Sequence, residues 1–135
     1  MRIKLSDMGL AKKLSNERSS FSTNSMGTIG WQAPEMIAPL ANLEKGSTVP
    51  LPRITKKVDI FSLGCVIHYV LTKKHPFGEH YERQINSMKG LAQITALDIA
   101  DPIAADLVRR CVALNSDERS DRASSYICEL FLCLM

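Results

Sequence analysis

Apolar residues gather in one stretch of this chain more densely than anywhere else. Between Lys56 and Leu71 the sequence places Val58, Ile60, Phe61, Leu63, Cys65, Val66, Ile67, Tyr69, Val70 and Leu71, leaving almost no polar face. A helix that is apolar nearly all round belongs in the middle of a domain, so 56–71 is predicted to be the central helix. His75-Pro76-Phe77-Gly78 then breaks the chain. Weaker helical patterns follow at about 80–89, 102–113 and 122–134. Upstream, residues 3–6 read as a strand, and 11–30 are rich in Ser, Thr, Asn, Lys and Arg with no sustained period, which is a loop. Pro34 suits a first helical turn and should open a short helix ending near Ile37 or Ala38. Pro39, Gly46, Pro50 and Pro52 make 39–55 a long irregular insert. No internal repeat or low-complexity tract interrupts this order. The predicted class is mainly α.

Composition narrows the setting. At 135 residues one domain with a modest core is the natural reading. The 45% apolar content is ordinary, and the net charge of +3, on scattered Lys and Arg, gives no footprint for nucleic acid. Cys65, Cys111, Cys128 and Cys133 form no C-x-x-C pair, so reduced thiols in a cytoplasmic setting are expected over disulfides or zinc. Met1-Arg2-Ile3-Lys4-Leu5 reads as strand, not as a signal peptide. The longest apolar stretch, from Ile60 to Leu71, is too short to span a bilayer and contains His68, so no membrane contact is expected of this chain.

Candidate chemistry lies in two motifs near the start. Ser6-Asp7-Met8-Gly9 follows a short apolar run, and Gly27-Thr28-Ile29-Gly30-Trp31-Gln32-Ala33-Pro34-Glu35 closes the polar loop. Together they resemble a protein-kinase activation segment, which opens on Asp-Phe-Gly and closes on Ala-Pro-Glu. Val58-Asp59-Ile60-Phe61-Ser62-Leu63-Gly64-Cys65 resembles the central F helix of the kinase large lobe, and His75–Gly78 the break after it. Met8 stands where most kinases have Phe, and Trp31 where most have Tyr. With Lys4-Leu5-Ser6-Asp7-Met8-Gly9-Leu10-Ala11-Lys12-Lys13-Leu14, these details are similar to the inositol-requiring enzyme family, with its plant members nearest. Those are endoplasmic-reticulum stress sensors that join a Ser/Thr kinase to an endoribonuclease. The resemblance implies a partial kinase domain over 1–135: a metal-binding turn and activation segment at 1–35, then helical large lobe at 36–135 carrying the 39–55 insert. It implies ATP, Mg²⁺ and the unfolded-protein response for intact members.

Site residues follow from that resemblance. Asp7 matches the Asp that holds Mg²⁺ against the nucleotide phosphates; by itself it is also an ordinary turn-capping Asp. Ser19, Ser20, Ser22, Thr23 and Ser25 match activation-loop positions that neighbouring kinases phosphorylate, where added charge orders a loop. Thr28 matches the threonine lining the substrate-peptide groove. Glu35 is expected to pair with Arg119, with Arg122 a nearby alternative, in a structural ion pair. Asp59, at the start of an apolar helix, needs donors. In the family those are backbone N–H groups of the catalytic loop.

Much of the catalytic set does not occur in this sequence. There is no G-x-G-x-x-G, no V-A-I-K-like strand and no H-R-D-x-x-x-x-N, and Asn115-Ser116-Asp117-Glu118-Arg119-Ser120 keeps only the Arg of the family's D-P-x-x-R-P. Phosphoryl transfer needs all its positioning groups at once, so the chain alone is expected to be non-catalytic, to hold no ATP or Mg²⁺, and to have no catalytic residue of its own. No ribonuclease domain is expected within it. Two alternatives stand beside a truncated kinase: a module docking on a full-length family member, and an enzyme completed by a missing upstream half. With one face of the central helix lacking its partner, a marginal fold with a sticky apolar face is expected, since each exposed apolar side chain forgoes about 1.5–3 kcal/mol.

Overall fold

The computed structural model describes residues 27–37 and 54–119. The strand at 3–6, most of the insert and the helix at 122–134 lie outside the described residues. What is described is helical. A short turn of helix, α1, covers residues 34–37. It is followed by α2 (Lys57–Thr72), α3 (Arg83–Met88), α4 (Thr95–Ala100), α5 (Pro102–Cys111) and a 3₁₀ turn, Ser116–Glu118.

α2 is the axis of the assembly, and it crosses α5 closely because Gly64 allows it. A Cβ at that position would fall 2.5 Å from Cys111 Cβ and 2.9 Å from Val112 Cγ1. Around the crossing, Phe61 and Cys65 of α2 pack with Ala104, Ala105 and Val108 of α5, joined by Leu97, Ile94, Phe77 and Ala33. Phe61 and Phe77 stack with centroids 5.5 Å apart, which seats the His75–Gly78 break against the middle of α2. On its other side α2 is open: Val66 and Val70 are exposed, and Leu63 is half-buried. These residues share a stripe with Asp59 at the spacing that puts side chains on one helix face. The central helix predicted from the sequence is therefore covered on one side only by the described residues.

α2 ends at Lys73, which adopts a left-handed conformation (φ 59°) and closes the helix by donating its backbone N–H to the Tyr69 carbonyl at 2.8 Å. α4 has no counterpart in the sequence reading. At six residues it is too short to show a helical period, and it runs into α5 at Asp101, whose carboxylate caps α5 by accepting from Ala104 N–H at 3.0 Å while Pro102 occupies the first turn. Asp98 of α4 accepts from Arg109 of α5 through both carboxylate oxygens, at 2.8 and 2.7 Å; the pair is half exposed and so worth little.

Candidate functional site

Residues 27–37 connect the helical body to the motif-bearing segment upstream. Their path is set by short bonds: Trp31 N–H donates to the Thr28 carbonyl at 3.1 Å, and Gln32 Nε2 to the Gly27 carbonyl at 3.4 Å. Gly30 at φ +86° makes the turn possible, and its missing side chain leaves room for Arg83, whose Cδ would lie 3.2 Å from a Cβ there. Ser62 of α2 donates to the Trp31 carbonyl at 2.9 Å and so fastens the segment to the central helix. Thr28 and Ile29 face outward and are exposed.

The strongest fastening is at Glu35. Arg119 is fully buried and donates to both Glu35 oxygens, Nη1 to Oε1 at 2.6 Å and Nη2 to Oε2 at 2.8 Å. Its remaining N–H groups go to the carbonyls of Ala113 (2.8 Å), Lys57 (3.2 Å) and Leu114 (3.2 Å). All five guanidinium donors are therefore used, and the planar group also lies 5.0 Å over the Phe61 ring. Lys57 Nζ returns the contact by donating to the Arg119 carbonyl. One side chain thus ties α1, the start of α2, α5's exit and the 3₁₀ turn.

Asp59 faces the open side of α2. No donor among the described residues reaches its carboxylate, and desolvation alone pushes its pKa up. Asp7, Ser19, Ser20, Ser22, Thr23, Ser25 and Arg122 lie outside the described residues. The structure therefore brings Glu35 and Arg119 together at one end of α2, sets Asp59 in the first turn of that helix and leaves Thr28 outside it.

Sequence reasoning missed an aromatic and histidine cluster behind Trp31. Trp31 meets His75 edge-on at 4.6 Å and Tyr69 at 5.8 Å, with the Arg83 guanidinium 5.7 Å over its ring. His75 is buried, accepts from Phe77 N–H through Nδ1 at 3.2 Å, and has its Nε2 unpartnered among the described residues. Burial first, then the Arg83 charge and His68, pull its pKa down to about 4. The one available signal was the choice of Trp31 and His75 themselves, both large groups with polar tips flanking glycine turns. Cys65 and Cys111 are free thiols buried in the core, and burial pushes their pKa values up to about 12 and about 11, so neither is a ready nucleophile.

Among the described residues no group of three His, Cys, Asp or Glu side chains could hold a metal ion, and no helix is long and apolar enough to cross a membrane.

An α-helical body built on one central helix, a motif segment tied to it by a buried Glu–Arg pair, and an outward turn ahead of that pair together describe part of a kinase large lobe. The model of the protein kinase domain matches residues 1–131, and the chain belongs to that family. Its curated relatives are kinases of the inositol-requiring type. The probable serine/threonine-protein kinase ireA of Dictyostelium discoideum is 40% identical over 120 residues, covering 89% of this chain and 11% of that protein. The serine/threonine-protein kinase/endoribonuclease IRE1a of Arabidopsis thaliana is 40% identical over 119 residues (86% and 13%), and IRE2 of Homo sapiens 43% over 113 residues (79% and 11%). A further relative, from Schizosaccharomyces pombe, is a sensor for unfolded proteins in the ER, 33% identical over 132 residues. The chain thus spans between 11% and 13% of the length of these relatives.

Proposed function

We propose that this chain supplies the scaffold and peptide-facing part of a Ser/Thr kinase large lobe of the inositol-requiring type, and that by itself it transfers no phosphate. The observation that carries this reading is Asp59. Its carboxylate sits at the start of the central helix, exposed but partly desolvated and without a donor among the described residues, in line with an uncovered apolar stripe of Leu63, Val66 and Val70. Partial desolvation beside this stripe raises the pKa of Asp59, and hydrogen bonds from a covering partner would favour its charged form. The sequence contains no catalytic-loop motif to supply those bonds, nor the Gly-rich loop and strand lysine that position a nucleotide.

A ligand stabilises a protein only where it has a site, so saturating Mg²⁺–ATP should leave the melting temperature of the purified chain unchanged. A rise of several degrees, removed by Asp7→Asn, would contradict the reading. The open stripe also favours a second role, docking on an intact kinase of the family. In that case an intact relative should co-purify with this chain, and Val66→Glu with Val70→Glu should abolish the association; retention of the complex by the double variant would exclude this face. Cytoplasmic location and a part in the unfolded-protein response are proposed by analogy with the relatives.

A further inference from the structure

We infer that Arg83 is a positioning residue for the peptide-facing turn, holding residues 27–31 in the shape that a substrate segment would meet. The inference rests on the large-lobe reading above. Arg83 opens α3, on a different element from the turn, yet it touches the turn twice. Its stem lies against the Cα of Gly30, close enough that a Cβ there would meet Cδ at 3.2 Å and Cβ at 3.5 Å. Its guanidinium lies 5.7 Å over the Trp31 ring. The head is itself fixed, because Nε donates to the Gly78 carbonyl at 3.1 Å, in the break that follows α2. Trp31 also meets His75 and Tyr69 edge-on, so the indole has contacts with the body besides Arg83.

Three requirements meet in one side chain: a flexible stem beside a left-handed glycine, a planar cation over an indole, and a fixed N–H aimed at a carbonyl. Lysine satisfies the first but lacks both the plane and the Nε donor. Among the described residues Thr28 and Ile29, the exposed residues of the turn, make no such contact with the body, so within that part their placement follows Gly30 and Trp31. Loosening Arg83 should therefore let the outward strip wander while the α2–α5 core stays as it is.

Trp31 is the only tryptophan of the chain, which makes its fluorescence a direct probe. In the 135-residue chain, Arg83→Ala should raise acrylamide quenching of Trp31 about two-fold and increase hydrogen exchange at residues 27–31, with α2 and α5 protection and helical circular dichroism retained. Arg83→Lys should show most of the same change, and Ile103→Ala, on the exposed side of α5, none. If Arg83→Ala fails to fold, Arg83→Lys decides. Unchanged quenching in the folded variant overturns the inference. A second readout uses a chimera in which this chain replaces the matching stretch of the Arabidopsis kinase. There Arg83→Ala should raise the peptide KM about five- to ten-fold with kcat within two-fold, the loss expected for a contact of this strength. A fall in kcat alone, or no change in either constant, overturns the inference. A chimera inactive before any substitution counts against the large-lobe reading and leaves the quenching result to decide on Arg83.

Discussion

Arg119 shows how much structure one side chain can organise. Its charge is fully buried, and it remains tolerable because Glu35 accepts two of its donors and backbone carbonyls the other three. Removing either partner strands a charge, so Glu35→Gln and Arg119→Met should each cost about 3–5 kcal/mol in urea unfolding. The double variant should cost at least about 1 kcal/mol less than the two singles together, as expected for directly coupled residues. Arg119→Lys should not rescue, because an ammonium cannot make five directed bonds. His75 is the residue through which pH acts. It is buried neutral with its pKa pulled down to about 4, so the unfolded chain binds a proton that the folded chain refuses. Its contribution is intact above the ordinary histidine range near 6.5 and declines as pH falls from there to about 4, by roughly 3 kcal/mol in all. Asp59, its pKa raised, acts with the opposite sign lower down. Urea titrations at pH 7 and pH 4.5 should therefore differ clearly in the native chain and much less in His75→Phe.

At the scale of the elements, the crossing of α2 and α5 is the contact that fixes everything else. Gly64→Ala would drive a methyl group into Cys111 and Val112, atoms of a packed core rather than of a mobile tip. Overpacking of this kind costs about 1–3 kcal/mol, and the melting temperature should drop accordingly. An unchanged melt would mean that the two helices part more easily than their packing implies. α2 was legible in the sequence because ten apolar residues in sixteen positions leave no other interpretation. The break at His75 was legible for the same local reason. α4 was not: six residues carry too few periods, and its identity comes from Leu97 packing beneath α5. The pairing of Glu35 with Arg119, 84 positions apart, could not come from local pattern at all and was suggested by family resemblance. The cluster around Trp31 had neither kind of signal. Trp31, Tyr69 and His75 have no spacing that reports mutual contact across a turn, a helix and a break.

At the largest scale, the described residues form a lobe with a closed interior and one open side. The Phe61–Val108 core is closed, while Val66, Tyr69, Val70 and Leu71 of the same central helix remain exposed. Each such side chain left in water forgoes about 1.5–3 kcal/mol, against a total stability of about 5–15 kcal/mol for a typical domain. The isolated chain should consequently melt broadly and bind a dye specific for exposed apolar surface, and Val66→Lys with Val70→Lys should reduce that binding. A sharp melt without dye binding would show the side to be covered. The function proposed above is that of a kinase-lobe frame that by itself transfers no phosphate. Its most direct test is transfer of labelled phosphate from Mg²⁺–ATP to a generic Ser/Thr substrate by the purified chain, measured beside Asp7→Asn. The account predicts equal, background incorporation in both. Incorporation by the native chain that disappears in Asp7→Asn would contradict it.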